Sequence, residues 1–215
     1  MNIILLGPQG SGKGTQAKLL VQKFGFYYFE MGAFLRDLAE TNSTVDRIMN
    51  QEGKLVPDDM FFFAMKALLE GKIKGGNSLF LDGFPRTIRQ YQTLKNWFEE
   101  FNIKVNLVIF INITEDETIR RLSNRRTCRD CNRIWNLVTS PIPPQSDKCE
   151  CGGKLFQRDD DQPEQIKLRL REYRKNTEPL LDLFKKEGLL FEINGERPIL
   201  EIQADLVKEI KSRQK

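Results

Sequence analysis

The chain has 215 residues, enough for one large domain or for a core that carries small insertions. Its 34 basic and 30 acidic residues leave a net charge of only +4, too mild to mark a nucleic-acid binder, and the absence of histidine removes every mechanism built on an imidazole base, nucleophile or metal ligand. No stretch approaches the roughly 20 apolar residues of a membrane span, and the apolar run at 3–6 is far too short for a signal-peptide core, so a cytoplasmic protein with no membrane association is expected.

In chain order, residues 3–6 read as a buried strand, and Ala17, Leu20, Val21 and Phe24 follow at helical spacing before Gly25, a helix stop. A second strand is expected at 26–29. Residues 30–57 are polar, weakly periodic and mostly helical in pattern, and they end at Gly53-Lys54-Leu55-Val56-Pro57. Further strands are expected at 79–81 and 107–113, and Thr114 with Glu117 forms a capping-box pattern opening a helix through Ile119 and Leu122. Residues 127–157 hold all four cysteines and a proline-rich stretch (Pro141, Pro143, Pro144). Pro163 begins a helix with Ile166, Leu170 and Tyr173 on one face. A strand at 189–193 and a C-terminal helix striped by Ile199, Ile202, Leu206 and Ile210 complete the chain. Short all-apolar strands alternating with helices predict a doubly wound α/β fold, a parallel sheet of about five strands covered on both faces. The two segments that break the rhythm read as insertions. The expected division is a core of 1–29, 58–126 and 158–215, an acceptor-side insertion at 30–57 and a lid at 127–157.

After the first strand comes Gly7-Pro8-Gln9-Gly10-Ser11-Gly12-Lys13-Gly14-Thr15. Glycines at 7, 10, 12 and 14 let successive backbone N–H groups point inward at an anion, and the helix that follows adds the positive end of its dipole. Lys13 supplies a fixed cation, and the spacing matches the phosphate-loop pattern G-x-x-x-x-G-K, with Gly14 where a hydroxyl residue usually stands and Thr15 one place later. Gly10, Ser11, Gly12, Lys13, Gly14 and Thr15 are thus the expected triphosphate cradle. The loop alone indicates nucleotide binding, not catalysis.

The strand at 79–81 delivers Asp82 to the same sheet edge, where a carboxylate can hold Mg2+ directly or through water; a structural aspartate at a strand end is the other reading. Gly83-Phe84-Pro85-Arg86-Thr87 and Gln90 follow. With GPQGSGKGTQ, GKLVPD, LDGFPRT, the Asn124-Arg125-Arg126 turn and RDDDQ at 158–162, the chain resembles the adenylate kinase family, of the long-lid type, over essentially its whole length. The resemblance implies ATP, AMP and ADP as partners and Mg2+ with the ATP. It implies that Gly32, Arg36, Lys54, Leu55, Val56, Gly83, Arg86 and Gln90 form the AMP site, with Gln90 reading the adenine. Lys13, Arg86, Arg121, Arg125, Arg158 and Arg169 would surround the phosphates in transfer, Arg158 and Arg169 reaching AMP as well. Arg121, Arg197 and Ile199 would border the ATP base, and Asp160 and Asp161 would help a lid to close.

Such a set suits the chemistry. A transferring phosphoryl group spreads negative charge over its oxygens and needs fixed guanidinium forks in a dry site more than it needs covalent help. For Arg120 and Arg121, late in a helix whose first turn is acidic, complementarity to the helix dipole is an alternative reason for their place. Where the family has Thr-Gly-Asp before its acceptor-side arginine, this chain has Met31-Gly32-Ala33, which removes a hydroxyl and a carboxylate from the acceptor pocket.

Cys128-x-x-Cys131 and Cys149-x-Cys151 are separated by 17 residues, and four thiolates converging from two tight turns would make a structural Zn2+ site. The second pair is one residue shorter than the usual knuckle, so a displaced ligand is the alternative. Some long-lid adenylate kinases carry a zinc ribbon here. The expected reaction is ATP + AMP ⇌ 2 ADP by a monomer that binds no nucleic acid. Two rivals stay open: a kinase for another nucleoside monophosphate, which Met31 and Ala33 favour and Gln90 opposes, and a nucleotide-controlled zinc-ribbon binding module, which the acidic Asp130, Asp147 and Glu150 oppose.

Overall fold

A computed structural model describes residues 1–47, 56–139, 143 and 147–214. The elements in order are β1 (Asn2–Leu6), α1 (Lys13–Phe24), β2 (Tyr27–Glu30), α2 (Met31–Thr41), α3 (Ser43–Asp46), α4 (Asp58–Lys74), β3 (Leu79–Asp82), α5 (Ile88–Glu99) and β4 (Val105–Asn112). There follow α6 (Glu115–Ser123), β5 (Arg125–Cys128), β6 (Ile134–Asn136), β7 (Leu155–Phe156), α7 (Pro163–Asn176), α8 (Glu178–Lys186), β8 (Leu190–Asn194) and α9 (Ile199–Arg213).

Five strands form one parallel sheet in the order β2-β3-β1-β4-β8. Alternate strand residues face opposite sides, and both sides are covered. Ile3, Leu5, Phe80, Leu107, Ile109 and Ile111 meet Ala17 and Leu20 of α1 and Ile202, Leu206 and Ile210 of α9. Ile4, Leu6, Leu79, Leu81, Val108 and Phe110 meet apolar residues of α4, α5 and α8, among them Met65, Trp97 and Phe184. This double burial is why the strands read as unbroken apolar runs rather than alternating ones. It also puts the polar residues at the carboxyl ends of the strands, where ligands of open α/β sheets bind.

The strands differ from expectation at their ends. The ladder runs through Glu30 and Asp82, which pair with each other in register, because backbone pairing continues regardless of side-chain polarity. β2 therefore spans 27–30 instead of 26–29, and β4 starts two residues early, at Val105. Gly25 closes α1 in the left-handed conformation (φ 72°), its N–H bonded to the Val21 carbonyl. Only half of the expected capping box forms. Thr114 Oγ1 accepts from the Glu117 N–H at 3.2 Å, but the Glu117 carboxylate holds Arg120 and Arg121, and the Thr114 N–H donates to Glu196 Oε1 instead.

β2 runs directly into α2, with Glu30 as its N-cap residue. The cysteine segment folds on a three-stranded antiparallel sheet, β6-β5-β7, that begins at Arg125. Among the described residues its apolar core consists of Trp135 and Leu155 with the buried Cys128 and Cys149. Among the described residues no helix is long and apolar enough to cross a membrane.

Candidate active site

The loop between β1 and α1 wraps tightly because glycine stands where another residue would not fit. A Cβ on Gly7 would lie 2.4 Å from the Ile111 carbonyl oxygen, and Gly12, the N-cap of α1, has φ 93°. Lys13 Nζ donates to the carbonyls of Gly7 and Pro8, both at 2.7 Å. Desolvation lowers its pKa to about 8; Asp82 opposes the shift, and Arg86, Arg169 and Arg125 add to it. Ser11 Oγ and Gln9 Oε1 are buried with no protein partner, which leaves polar groups at the loop for a ligand to satisfy. Gly14 has open space around it, and the Thr15 backbone N–H bonds to the Gly12 carbonyl.

Asp82 ends β3 buried beside this loop, paired with Leu5 of β1 in the register. Burial raises its pKa, against the pull of Lys13 and of the Tyr28 hydroxyl, which donates to Oδ2 at 2.8 Å. Burial likewise raises the Tyr28 pKa, so Tyr28 is a neutral donor.

The arginines come from separate elements and converge. Arg125 holds Asp161 bidentately at 2.7 and 2.6 Å, and Arg169 reaches Asp160 at 2.7 Å and Asp161 at 3.8 Å. Arg158 donates to Thr127 Oγ1 at 3.0 Å, and Arg86 Nε to the Gly83 carbonyl at 2.9 Å. Arg86 remains solvent-accessible, yet desolvation by the surrounding protein and then the charge of Arg169 lower its pKa. Desolvation followed by Arg125 lowers that of Arg158, which also feels Arg36. Desolvation lowers that of Arg169 too, with Arg125 adding to the effect. Lys13, Arg86, Arg125 and Arg169 thus form one group of neighbouring cations, which Arg158 extends to Arg36, an arrangement that a polyanion relieves.

Arg121 lies against the loop. It donates to the carbonyls of Gly10 at 3.3 Å and Gly195 at 3.0 Å and pairs with Glu117 at 2.6 Å. The helix-dipole alternative therefore does not account for its contacts, whereas the half-exposed Arg120 donates to both carboxylate oxygens of Glu117 one turn back. Arg197 pairs with Asp205 and Glu201, away from the cationic cluster, and the Ile199 carbonyl accepts from Gln16 at 2.9 Å.

On the acceptor side, Gln90 is buried and engaged at both ends of its amide. Nε2 donates to Asp58 Oδ1 at 2.7 Å, and Oε1 accepts from the Arg86 N–H at 2.7 Å. Gly32 sits under Arg36, where a Cβ would come within 3.3 Å of the guanidinium. Val56 packs half-buried against the core, and Lys54 and Leu55 lie outside the described residues. Met31 is buried in that same core.

The four cysteine sulfurs lie within 4.8 Å of one another, with Cys128–Cys151, Cys131–Cys149 and Cys131–Cys151 at 3.5, 3.6 and 3.4 Å. Zinc–sulfur bonds of about 2.3 Å at tetrahedral angles require sulfurs about 3.8 Å apart, so the donor set fits that ion. The short C-x-C pair reaches the cluster because Gly152 (φ 87°) turns the chain and returns its N–H to the Cys149 carbonyl. A Cβ on Gly153 would lie 2.7 Å from Cys128 Sγ. The Trp135 indole N–H donates to Cys149 Sγ at 3.2 Å. First the Cys151 backbone N–H and then this indole pull the Cys149 thiol down to about 6.

Tyr28, Thr127 and Trp135 were not singled out by the sequence and lie in none of its motifs, while Asp58 closes the GKLVPD stretch but was given no role. Each holds a residue that was singled out.

The family model described as adenylate kinase matches residues 5–189. The chain is 38% identical to an adenylate kinase of Archaeoglobus fulgidus over 216 aligned residues, covering 97% of this chain and 99% of that one. It is 39% identical to one of Methanothrix thermoacetophila, covering 97% of each, and 40% identical to one of Methanocella arvoryzae, covering 96% of each.

Proposed function

The chain belongs to the adenylate kinase family, and from that premise we propose how its own residues divide the work of ATP + AMP ⇌ 2 ADP. The observation that carries the assignment is that Lys13 of the phosphate loop stands among Arg86, Arg125 and Arg169 from separate elements, with Arg158 linking that group to Arg36, six cations in all. One triphosphate would neutralise a lysine and a helix end. Six cations suit two nucleotides meeting phosphate to phosphate.

Lys13 and the loop residues Gly10 to Thr15 hold the donor phosphates, and Lys13 follows the moving group between oxygens. Arg121, pinned to the loop by the Gly10 carbonyl, borders the donor with Arg197 and Ile199. Arg36 and Arg86 hold the AMP phosphate, Gly32, Val56 and Gly83 leave room for it, and Gln90 reads its base by exchanging Asp58 for the adenine edge. Arg125, Arg158 and Arg169 stabilise the charge spread over the equatorial oxygens in an in-line displacement. Adenylate kinases use Mg2+ with ATP. The ion shares the charge of the donor phosphates, and Asp82, kept accepting by the Tyr28 hydroxyl, is the residue to hold it through water.

Residues 30–57 and 127–157 close over the core formed by 1–29, 58–126 and 158–215, excluding the water that would otherwise accept the phosphoryl group. Asp160 and Asp161 align Arg169 and Arg125 in that closure. Cys128, Cys131, Cys149 and Cys151 hold a structural Zn2+, which a sheet of three short strands with two large apolar side chains needs for rigidity. Four reduced thiols fit a cytoplasmic setting. Every assigned group comes from one copy of the chain, so a monomer suffices, and no part of the assignment calls on nucleic acid or membrane.

The test is an acceptor panel of AMP, GMP, CMP and UMP with ATP and Mg2+, together with calorimetric titration of a bisubstrate dinucleotide. AMP should be the preferred acceptor, and the dinucleotide should bind orders of magnitude tighter than ATP. A preference for another acceptor would overturn the role of Gln90. Dinucleotide affinity equal to that of ATP would overturn the two-nucleotide site.

A further inference from the structure

Glu30 and Asp82 end neighbouring strands in register, so two carboxylates stand side by side at the sheet edge. Tyr28 lies between them, its hydroxyl 2.8 Å from Asp82 Oδ2 and 3.4 Å from Glu30 Oε2. A phenol has one proton to give, and the shorter contact takes it. Glu30 is left as the carboxylate that must find a cation elsewhere. It finds Arg36: Glu30 Oε1 is 3.6 Å from the guanidinium, which folds back over the first turn of α2. Gly32 makes the room for this, since a Cβ there would stand 3.3 Å from Arg36 Nη1 and 3.6 Å from Glu30 Oε1.

We propose that Glu30 is an internal competitor for the acceptor phosphate, occupying the Arg36 fork that AMP must take over and so setting acceptor affinity. The inference rests on Arg36 being an AMP-phosphate clamp. Carboxylate and phosphate use the same planar donors, and one guanidinium edge cannot serve both fully. The side chains of Arg36 and Glu30 are 56% and 40% exposed, so the contact is a weak, water-screened one. It tunes the site without locking it. Because the competition is for the Arg36 fork, the penalty applies only to acceptors that carry a phosphate.

Glu30→Gln keeps the size of the side chain and removes its charge. At saturating ATP and Mg2+, the KM for AMP should fall about two- to fivefold. The KM for ATP should hold, and adenosine, which lacks the phosphate, should bind both proteins equally in a competition titration. Glu30→Asp, one methylene shorter, should fall between the two. An unchanged or raised KM for AMP would overturn the proposal, as would an equal gain in adenosine affinity, because that marks a reshaped pocket. The Arg36→Ala background separates the two levels. If Arg36→Ala leaves AMP affinity unchanged, the clamp itself is wrong. If it weakens AMP and Glu30→Gln still tightens AMP binding in that background, only the competition is wrong.

Discussion

Lys13 gives the sharpest test of the site, because the cationic cluster makes its proton a reporter of bound phosphate. Burial lowers its pKa from 10.5 to about 8, a displacement equivalent to roughly 3 kcal/mol. The unfolded chain keeps this proton up to 10.5 and the folded one releases it near 8. The charged amine therefore opposes folding at full strength below pH 8, and the penalty fades as pH rises toward 10.5. Phosphates laid against Nζ reverse the desolvation and return the pKa toward its ordinary value. At pH 8.5 only about a quarter of the free enzyme carries the proton, so binding ATP with Mg2+ should take up about three-quarters of a proton. At pH 7 the uptake should be about a tenth. Calorimetry in buffers of different ionisation enthalpy measures the difference, and Lys13→Met should abolish it. Without nucleotide, wild-type stability should climb relative to Lys13→Met by up to about 3 kcal/mol between pH 7.5 and 10.5. Uptake that is flat with pH, or that survives in Lys13→Met, would refute the placement of Lys13 against the phosphates.

Three further outcomes concern the lid and the Arg125–Asp161 pair at its base. Asp161 is fully buried and grips Arg125 through both oxygens, so Asp161→Asn, which leaves a buried guanidinium half-paired, should cost about 3 kcal/mol in denaturant melts and most of the turnover; a loss under about 0.5 kcal/mol would mean the pair is solvated in solution. Elemental analysis should find zinc bound to the chain, and its removal by chelator should lower the lid melting temperature, whereas a metal-free protein with an unchanged melt would exclude the site. Trp135→Phe keeps the ring in the lid core but drops the N–H to Cys149, so zinc should pass to a competing chelator at about tenfold lower chelator concentration.

The parallel sheet was readable because burial on both faces leaves unbroken apolar runs, and those runs survive as β1, β3 and β4 nearly residue for residue. Three helices were not readable, for reasons visible in their faces. In α4 the apolar stripe of Phe61, Met65, Leu69 and Ile73 is blurred by Phe63, which is 80% exposed. The hydrophobic face of α5 carries Gln90 among Tyr91, Leu94 and Trp97. α8 follows α7 after the single break at Thr177, so the two read as one continuing pattern.

Motif residues were legible wherever one local stretch must do the chemistry, as at the phosphate loop and Arg86. Which side chain each would pair with was not, even where both lie in motifs, as Asp58 and Asp161 do. Tyr28 reaches Asp82 across 54 positions, Asp58 reaches Gln90 across 32, and Asp161 reaches Arg125 across 36. Such pairs depend on strand register and on where helices cross, which no spacing encodes. The acceptor pocket shows what this costs a reading of single positions. Met31 and Ala33 stand where the family has a hydroxyl and a carboxylate, which read alone predicts a less polar pocket. The fold turns Met31 into the core, and β2 ends on Glu30, whose carboxylate lies beside Arg36 across the gap that Gly32 leaves. The negative charge missing at 33 is thus present at 30, with Tyr28 and Asp82 behind it, and acceptor affinity follows from that displaced charge.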